Sequence, residues 1–369
     1  MNLEHIKNIE KEWESIDSSY RITPYNAPIN REEEKKKVLR AYQCGGHYNP
    51  QFTYLSPPEY PVDRLRSFMS KLRPEFSSLE EVYYEKVRNA LLQIETIQNH
   101  NPNYITGLSC LSFGLPDTDL IESAFKIFGN KTAGENREPL EFSSNDAVIF
   151  LQNVLKKMGL KSWQAISFSP MSAKVSVNRI DKQIKVQDGA EFSKSEVVRL
   201  VVHEIGVHVL RYENGAKQPI RLFRNSFPQY IGTEEGLAVF CEEKAGLLAP
   251  ETLRKYSGRA IATHLSLTNN FYDVFFCLAD ELGAELAFDI TARVKRGFTD
   301  TSRHGAHTKD MLYLQGYLSV KKHLEKKPDD YELLFIGKFG LQHIGLVRDL
   351  LKQEVISPAQ LLPSDLPNN

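Results

Sequence analysis

The segment His203-Glu204-Ile205-Gly206-Val207-His208 constrains this chain more than any other. Two imidazoles and a carboxylate on one helix are the parts of a zinc hydrolase site, for which the familiar spacing is H-E-x-x-H, with the histidines four apart on one face. Here they are five apart. On a regular α-helix five residues turn about 500°, so the rings would diverge by about 140° and one ion could not take both. A π-type turn of about 4.4 residues brings them within about 50° of each other, and such turns gather at functional sites. Gly206 lies between the histidines and relaxes the backbone there, at about 1 kcal/mol of helix stability. The sequence therefore predicts a widened turn around Gly206. The competing reading is a buried helix that merely contains two histidines.

The helix is well marked. Ser193 stands three residues before Glu196 and ahead of an apolar run, which is a capping box. From there KSEVVRLVVHEIGVHVLRYE runs to Asn214-Gly215, a C-terminal signal. A second helix is expected from about Thr233 through GLAVFCEEKAGLL to Pro250.

With 369 residues, 41% of them hydrophobic, the chain can bury a large core and is too long for one small domain. Residues 1–40 read as helical, with Arg31–Lys37 (REEEKKK) as a solvated, Glu-to-Lys paired face. Cys44–Pro61 is rich in Gly, Pro and Tyr and reads as an irregular loop. Helices are expected near 62–73, 78–100, 117–128 and 144–158, with polar turns near 99–107 and 129–137. Alternating β-branched residues at Ile166–Ser169 and Lys174–Val186 predict a short antiparallel hairpin or small sheet. The remainder to 357 reads as mostly helical, broken by a polar loop at 295–309, and the tail from Ser357 as frayed. The pattern suggests an N-terminal helical region, 1–138, packing on a catalytic unit, 139–369.

Charged residues make up 25% and the net charge is −1, so nothing calls for nucleic acid or an anionic membrane as partner. Cys44, Cys110, Cys241 and Cys277 form no CxxC pair, which argues against a thiolate zinc site and a disulfide framework and for free thiols packed as small hydrophobes. The stretch MNLEHIKNIEKEWESID is charged and carries no apolar run of a secretory signal, and no segment reaches the roughly 18 to 20 apolar residues of a membrane span. The expectation is a cytoplasmic protein with no membrane partner.

A metal held by two histidines needs a third protein ligand and an open position for water. Gly232-Thr233-Glu234-Glu235-Gly236-Leu237-Ala238 is similar to the N-E-G-F-A type segment of the gluzincin peptidases, in which the glutamate before the glycine is the third zinc ligand. By that match the ligand is Glu235, with Glu234 as the alternative. Together H-E-I-G-V-H, T-E-E-G-L-A-V-F and T-K-D-M-L-Y-L-Q-G, spanning 203–316, resemble the family of proteins named for a QEGLA motif. Its eukaryotic members include the microtubule-associated tyrosine carboxypeptidases, which resemble gluzincins with an H-E-x-x-x-H signature and remove the C-terminal tyrosine of α-tubulin. The resemblance implies an α+β, predominantly helical fold: a zincin-like (gluzincin) catalytic domain with a small β-sheet, beside an N-terminal helical region. This chain has Glu234 where the motif's name has Gln, which places a second carboxylate close to the metal.

The implied chemistry is a zinc-dependent metallocarboxypeptidase that removes a C-terminal residue, tyrosine among the candidates, from a peptide or protein. Zn2+ would be held by His203, His208 and Glu235, with Glu204 as general base. Tyr313, with His307 as second choice, would donate to the oxyanion. Arg296 and Lys309, beside Arg293, would bind the substrate carboxylate, since guanidinium pairs two oxygens at once. An edge of the hairpin could pair with an extended peptide. The alternatives are a zinc endopeptidase or aminopeptidase, and a non-catalytic regulatory or binding protein that retains the fold; the presence of Glu204 argues against the latter.

Overall fold

Helices dominate the computed structural model, and those starting at Pro102, Thr118, Ser144, Lys194 and Phe271 begin behind a residue whose side chain caps the first turn. The structure describes residues 3–17, 22–74, 78–99, 101–130, 138–169, 171 and 173–367. The fold class is α+β and predominantly helical, as expected. Among the described residues, no helix is long and apolar enough to cross a membrane. The chain divides into two compact units that interleave along the sequence: Met1–Lys131 with Glu251–Leu314, and Thr132–Pro250 with Gln315–Asn369.

The first unit is helical. Val62–Lys71, Ser78–Gln98 and Thr118–Gly129 lie within a few residues of their expected bounds, and the region read as helical over 1–40 holds two helices, Leu3–Asp17 and Arg31–Gln43, with the 3-10 turn Thr23–Asn26 between them. Two expectations change. The turn read at 99–107 is mostly helix, Pro102–Phe113, because Asn101 caps the Asn103 amide and Pro102 sits in the first turn, where a missing N–H costs nothing. The charge run Arg31–Lys37 is more than a solvated face. Glu34 is buried and accepts from Tyr48 Oη and the Gln51 amide, each at 2.8 Å, while Lys35 Nζ lies 3.0 Å from Asp289 Oδ1. That run therefore anchors the irregular Cys44–Pro61 segment. In the same unit, Lys295 is fully buried, and its ammonium donates to the carbonyls of Asn269, Arg303 and Gly305 at 2.8, 2.9 and 3.0 Å.

The second unit holds a three-stranded sheet. Its central strand, Gln183–Gln187, pairs antiparallel with Val175–Asn178, the expected hairpin, and parallel with Gln164–Phe168. Helix Ser144–Lys157 and the histidine-bearing helix share one core with the sheet, around Trp163, Ile184, Val186, Phe192 and Ile205. Phe142–Ser143 pairs with Glu191–Phe192 and delivers the chain to Ser193. There the capping box forms: Ser193 Oγ accepts from the Glu196 amide at 3.2 Å and Glu196 Oε2 from the Ser193 amide at 3.0 Å. The described part of the tail, Ser357–Pro367, is not frayed, and the last two residues lie outside the described residues. Asn214 holds Leu361 as a strand would, accepting from its amide at 3.0 Å and donating to its carbonyl at 2.7 Å, and Gln218 pairs with Ser357 in the same way.

Candidate metal centre

Val201–Val209 is a π-helix inside an otherwise α-helical rod that runs from Lys194–Leu200 to Leu210–Ala216. This is the widened turn that five-residue spacing demands. It brings the His203 and His208 rings to 4.9 Å between centroids, at 77° to each other. A Cβ on Gly206 would lie 3.1 Å from Leu366 Cδ1, so the glycine also makes room for the tail.

The facing helix, Ile231–Lys244, brings Glu235 to this pair. Glu235 Oε2 lies 3.7 Å from His203 Nε2 and 4.0 Å from His208 Nε2. One donor atom from each of the three residues falls within 4.8 Å of the others. The glycine after Glu235 is what lets the helix seat so closely. A Cβ on Gly236 would lie 2.1 Å from the carbonyl carbon of Gly316, the last residue of T-K-D-M-L-Y-L-Q-G.

The other nitrogen of each ring is held by a carboxylate from the same helix. His203 Nδ1 lies 2.7 Å from Glu242 Oε1, and His208 Nδ1 lies 3.0 Å from Glu234 Oε1. An ionised carboxylate only accepts, so both Nδ1 atoms donate, and both Nε2 atoms are turned toward Glu235. Glu234, the alternative third ligand, is thereby placed behind His208 rather than beside Glu235. Glu242 is shared with Arg199 Nη1 at 2.9 Å, and Glu234 with Arg211 and Lys338.

The donor set fits a divalent transition metal. Two neutral imidazole nitrogens and a carboxylate oxygen are zinc ligands, and tetrahedral bonds of about 2.0–2.1 Å put donors about 3.3 Å apart. The separations of 3.7 and 4.0 Å from Glu235 need a contraction of less than 1 Å to reach that, and no pair needs more than about 1.5 Å. The site also favours positive charge. Burial opposes a proton on His203, yet hydrogen bonds to Glu235 and Glu242 and the nearby charge of Glu204 push its pKa up to about 10. Glu235 is held below the usual carboxylate range: burial raises it, and the two histidines outweigh that. Glu204 is itself buried next to His203 in the π-helix.

The remaining expected site residues lie in the other unit. Tyr313 stacks on Tyr256 at 5.2 Å, with the Arg259 guanidinium 4.5 Å above its ring. Arg293 forks onto Asp310, with Nε 3.1 Å from each carboxylate oxygen and Nη2 2.6 Å from Oδ1. Arg296 reaches the same carboxylate only at 4.0 Å. Its pKa is lowered by burial and then by its neighbour Arg293. His307 is buried and neutral, with Nδ1 unpartnered; burial first and Arg296 second push its pKa down to about 3. Lys309 is half-buried beside Asp310 in the turn Thr308–Met311.

Comparison with known proteins agrees with the motifs. The family model described as microtubule-associated tyrosine carboxypeptidase matches residues 42–368. The chain belongs to this family. It is similar to microtubule-associated tyrosine carboxypeptidase 1 of Rattus norvegicus, 33% identical over 156 residues, which cover 40% of this chain and 32% of the relative. The human protein of that name is 32% identical over 154 residues, 40% of this chain and 31% of the relative. The matched region thus spans about a third of the length of each curated relative.

As a member of the tyrosine carboxypeptidase family, the chain surrounds its histidines with residues that the motifs did not announce. Glu242 lies two helical turns beyond Glu235, on the same face, and that spacing was a usable signal. Arg211 sits three residues after His208, also on a shared face. Lys338 is far away in sequence and left no local signal.

Proposed function

We propose that this protein is a zinc-dependent metallocarboxypeptidase with a zincin-like catalytic domain, whose metal ligands come from the unit formed by Thr132–Pro250 and Gln315–Asn369. The observation that carries the proposal is the convergence of His203 Nε2, His208 Nε2 and Glu235 Oε2, with both Nδ1 atoms backed by carboxylates. A donor set held this way leaves room for water and substrate.

A zinc ion at this site would supply a Lewis acid for a peptide carbonyl and would lower the pKa of a water molecule toward 7. Glu204 would serve as the general base, accepting a proton from the attacking water and returning it to the leaving amine. Tyr313, polarised by the Arg259 guanidinium over its ring, donates to the developing oxyanion. Arg296 binds the substrate's free carboxylate, helped by Lys309. Support for this choice over Arg293 comes from their pairing: Arg293 is already engaged by Asp310, whereas Arg296 is 4.0 Å from it.

The relatives' names add tyrosine as the C-terminal residue to test. The microtubule association in those names agrees with a cytoplasmic location. The test uses matched peptides ending in tyrosine with free or amidated C-termini. Release of tyrosine from the free acid alone is expected. Equal cleavage of the amide indicates an endopeptidase, and no cleavage of either by zinc-loaded protein contradicts the enzyme reading.

A further inference from the structure

The residues Phe335-Ile336-Gly337-Lys338-Phe339-Gly340 belong to no sequence motif identified above, yet they are fastened with unusual density. Lys338 pairs through its backbone with the neighbouring turn, its amide donating to the Phe223 carbonyl at 2.7 Å and its carbonyl accepting from the Phe227 amide at 2.8 Å. A Cβ on Gly337 would lie 2.7 Å from the Phe223 carbonyl oxygen, so only glycine lets the strands of chain pass this closely. The Leu341 amide donates to Thr233 Oγ1 at 2.9 Å, one residue before Glu234. Arg211 donates to the carbonyls of Leu334 at 2.8 Å and Phe339 at 2.7 Å.

All these ties deliver one group to one place. Lys338 Nζ meets Oε1 of Glu234, the oxygen that also faces His208 Nδ1, and Arg211 Nη1 meets Oε2. The three side chains are nearly out of solvent: Arg211 is 0% exposed, Glu234 3% and Lys338 5%. Two cations on one buried carboxylate is more than neutralisation needs. With Arg211 alone, the carboxylate would be free to turn both oxygens onto the guanidinium fork, which is the stronger geometry, and leave His208. Lys338 holds Oε1 on the His208 side. A glutamine here would present one neutral oxygen, unable to take both arms of the guanidinium fork, and would leave no charge for a lysine to pair.

We infer that Lys338, delivered by the Phe335–Gly340 segment, is a positioning residue of the metal centre: with Arg211 it clamps Glu234 so that one carboxylate oxygen stays on Nδ1 of His208. The inference rests on the metal reading given above. It explains the departure from the family's motif name, since the carboxylate at 234 comes with its own counter-cation.

The test is a double-mutant cycle read by zinc affinity, measured on the full-length apoprotein by competition with a chromogenic chelator, and by the visible spectrum of the cobalt-loaded protein. Lys338→Met alone is expected to weaken zinc binding about tenfold, the scale for losing a ligand's orienting partner. It should also alter the cobalt spectrum. Made together with Glu234→Gln, the same change should cost less than about twofold, because an amide at 234 leaves Lys338 nothing to clamp. Circular dichroism identifies folded variants, and Lys338→Gln replaces any Lys338→Met protein that fails to fold. Equal costs in the two backgrounds, or no cost in either, overturn the inference while leaving the metal reading intact. Wild-type protein that binds no zinc overturns both.

Discussion

Gly236 and Gly316 meet backbone to backbone: a Cβ on the first would lie 2.1 Å from the second's carbonyl carbon, and a Cβ on Gly316 would lie 1.8 Å from the Gly232 oxygen. The two motifs T-E-E-G-L-A and L-Y-L-Q-G are therefore halves of one close approach, and the glycine of the first follows Glu235 directly. Gly236→Ala is expected to destabilise the protein by about 3 kcal/mol, the upper range for overpacking against a rigid backbone. Denaturant unfolding measures this. A loss under about 0.5 kcal/mol, the range of an ordinary surface change, contradicts the packing account.

Glu204 is buried and adjacent to the proposed ligand His203, yet lies outside the donor cluster. Glu204→Gln should therefore retain zinc at wild-type stoichiometry while kcat falls about 10²- to 10⁴-fold, the contribution of a general base. Metal analysis and peptide turnover on the same preparation check both halves. Loss of zinc together with activity would make Glu204 a ligand instead.

Arg293 and Arg296 separate by their partners. Arg296→Ala should raise KM for free-acid peptides about 10- to 100-fold, the effect of one charged hydrogen-bonded pair, with little loss of stability. Arg293→Ala strands the buried Asp310 and should lower stability first. Michaelis constants and melting temperatures for the two variants distinguish these effects, and reversed phenotypes contradict the assignment.

His307 sets a pH dependence. Unfolded, it titrates near the ordinary 6.5; folded, its pKa is about 3, because burial and Arg296 disfavour the charge. Between those values the unfolded chain binds more protons, so acidification costs stability, by about 1.4 kcal/mol per pH unit below 6.5. His307→Leu removes the term. Wild type should lose ground to the variant as pH falls from 7 to 5, and parallel stability profiles would contradict it.

The site was more legible in the sequence than the frame around it. The five-residue spacing of His203 and His208 demanded a wide turn, and Val201–Val209 is a π-helix. Ser193 and Glu196 announced the helix start because capping is local chemistry. Residues that act from afar left no such mark. Lys338 reaches Glu234 through chain packing alone, and the tail from Ser357 is held by Asn214 and Gln218, whose side chains imitate a neighbouring strand. Pro102 was misleading because the same residue type ends one helix and opens another. The interleaving of Glu251–Leu314 with the N-terminal segment is a property of tertiary contacts and has no signature in local periodicity.

Anomalous diffraction at the zinc edge, from crystals of the zinc-loaded protein, tests the central claim most directly. The account predicts a single strong peak about 2.0–2.2 Å from Nε2 of His203, Nε2 of His208 and a carboxylate oxygen of Glu235. No peak among these three, or zinc coordinated by Glu234 with Glu235 turned away, would contradict it.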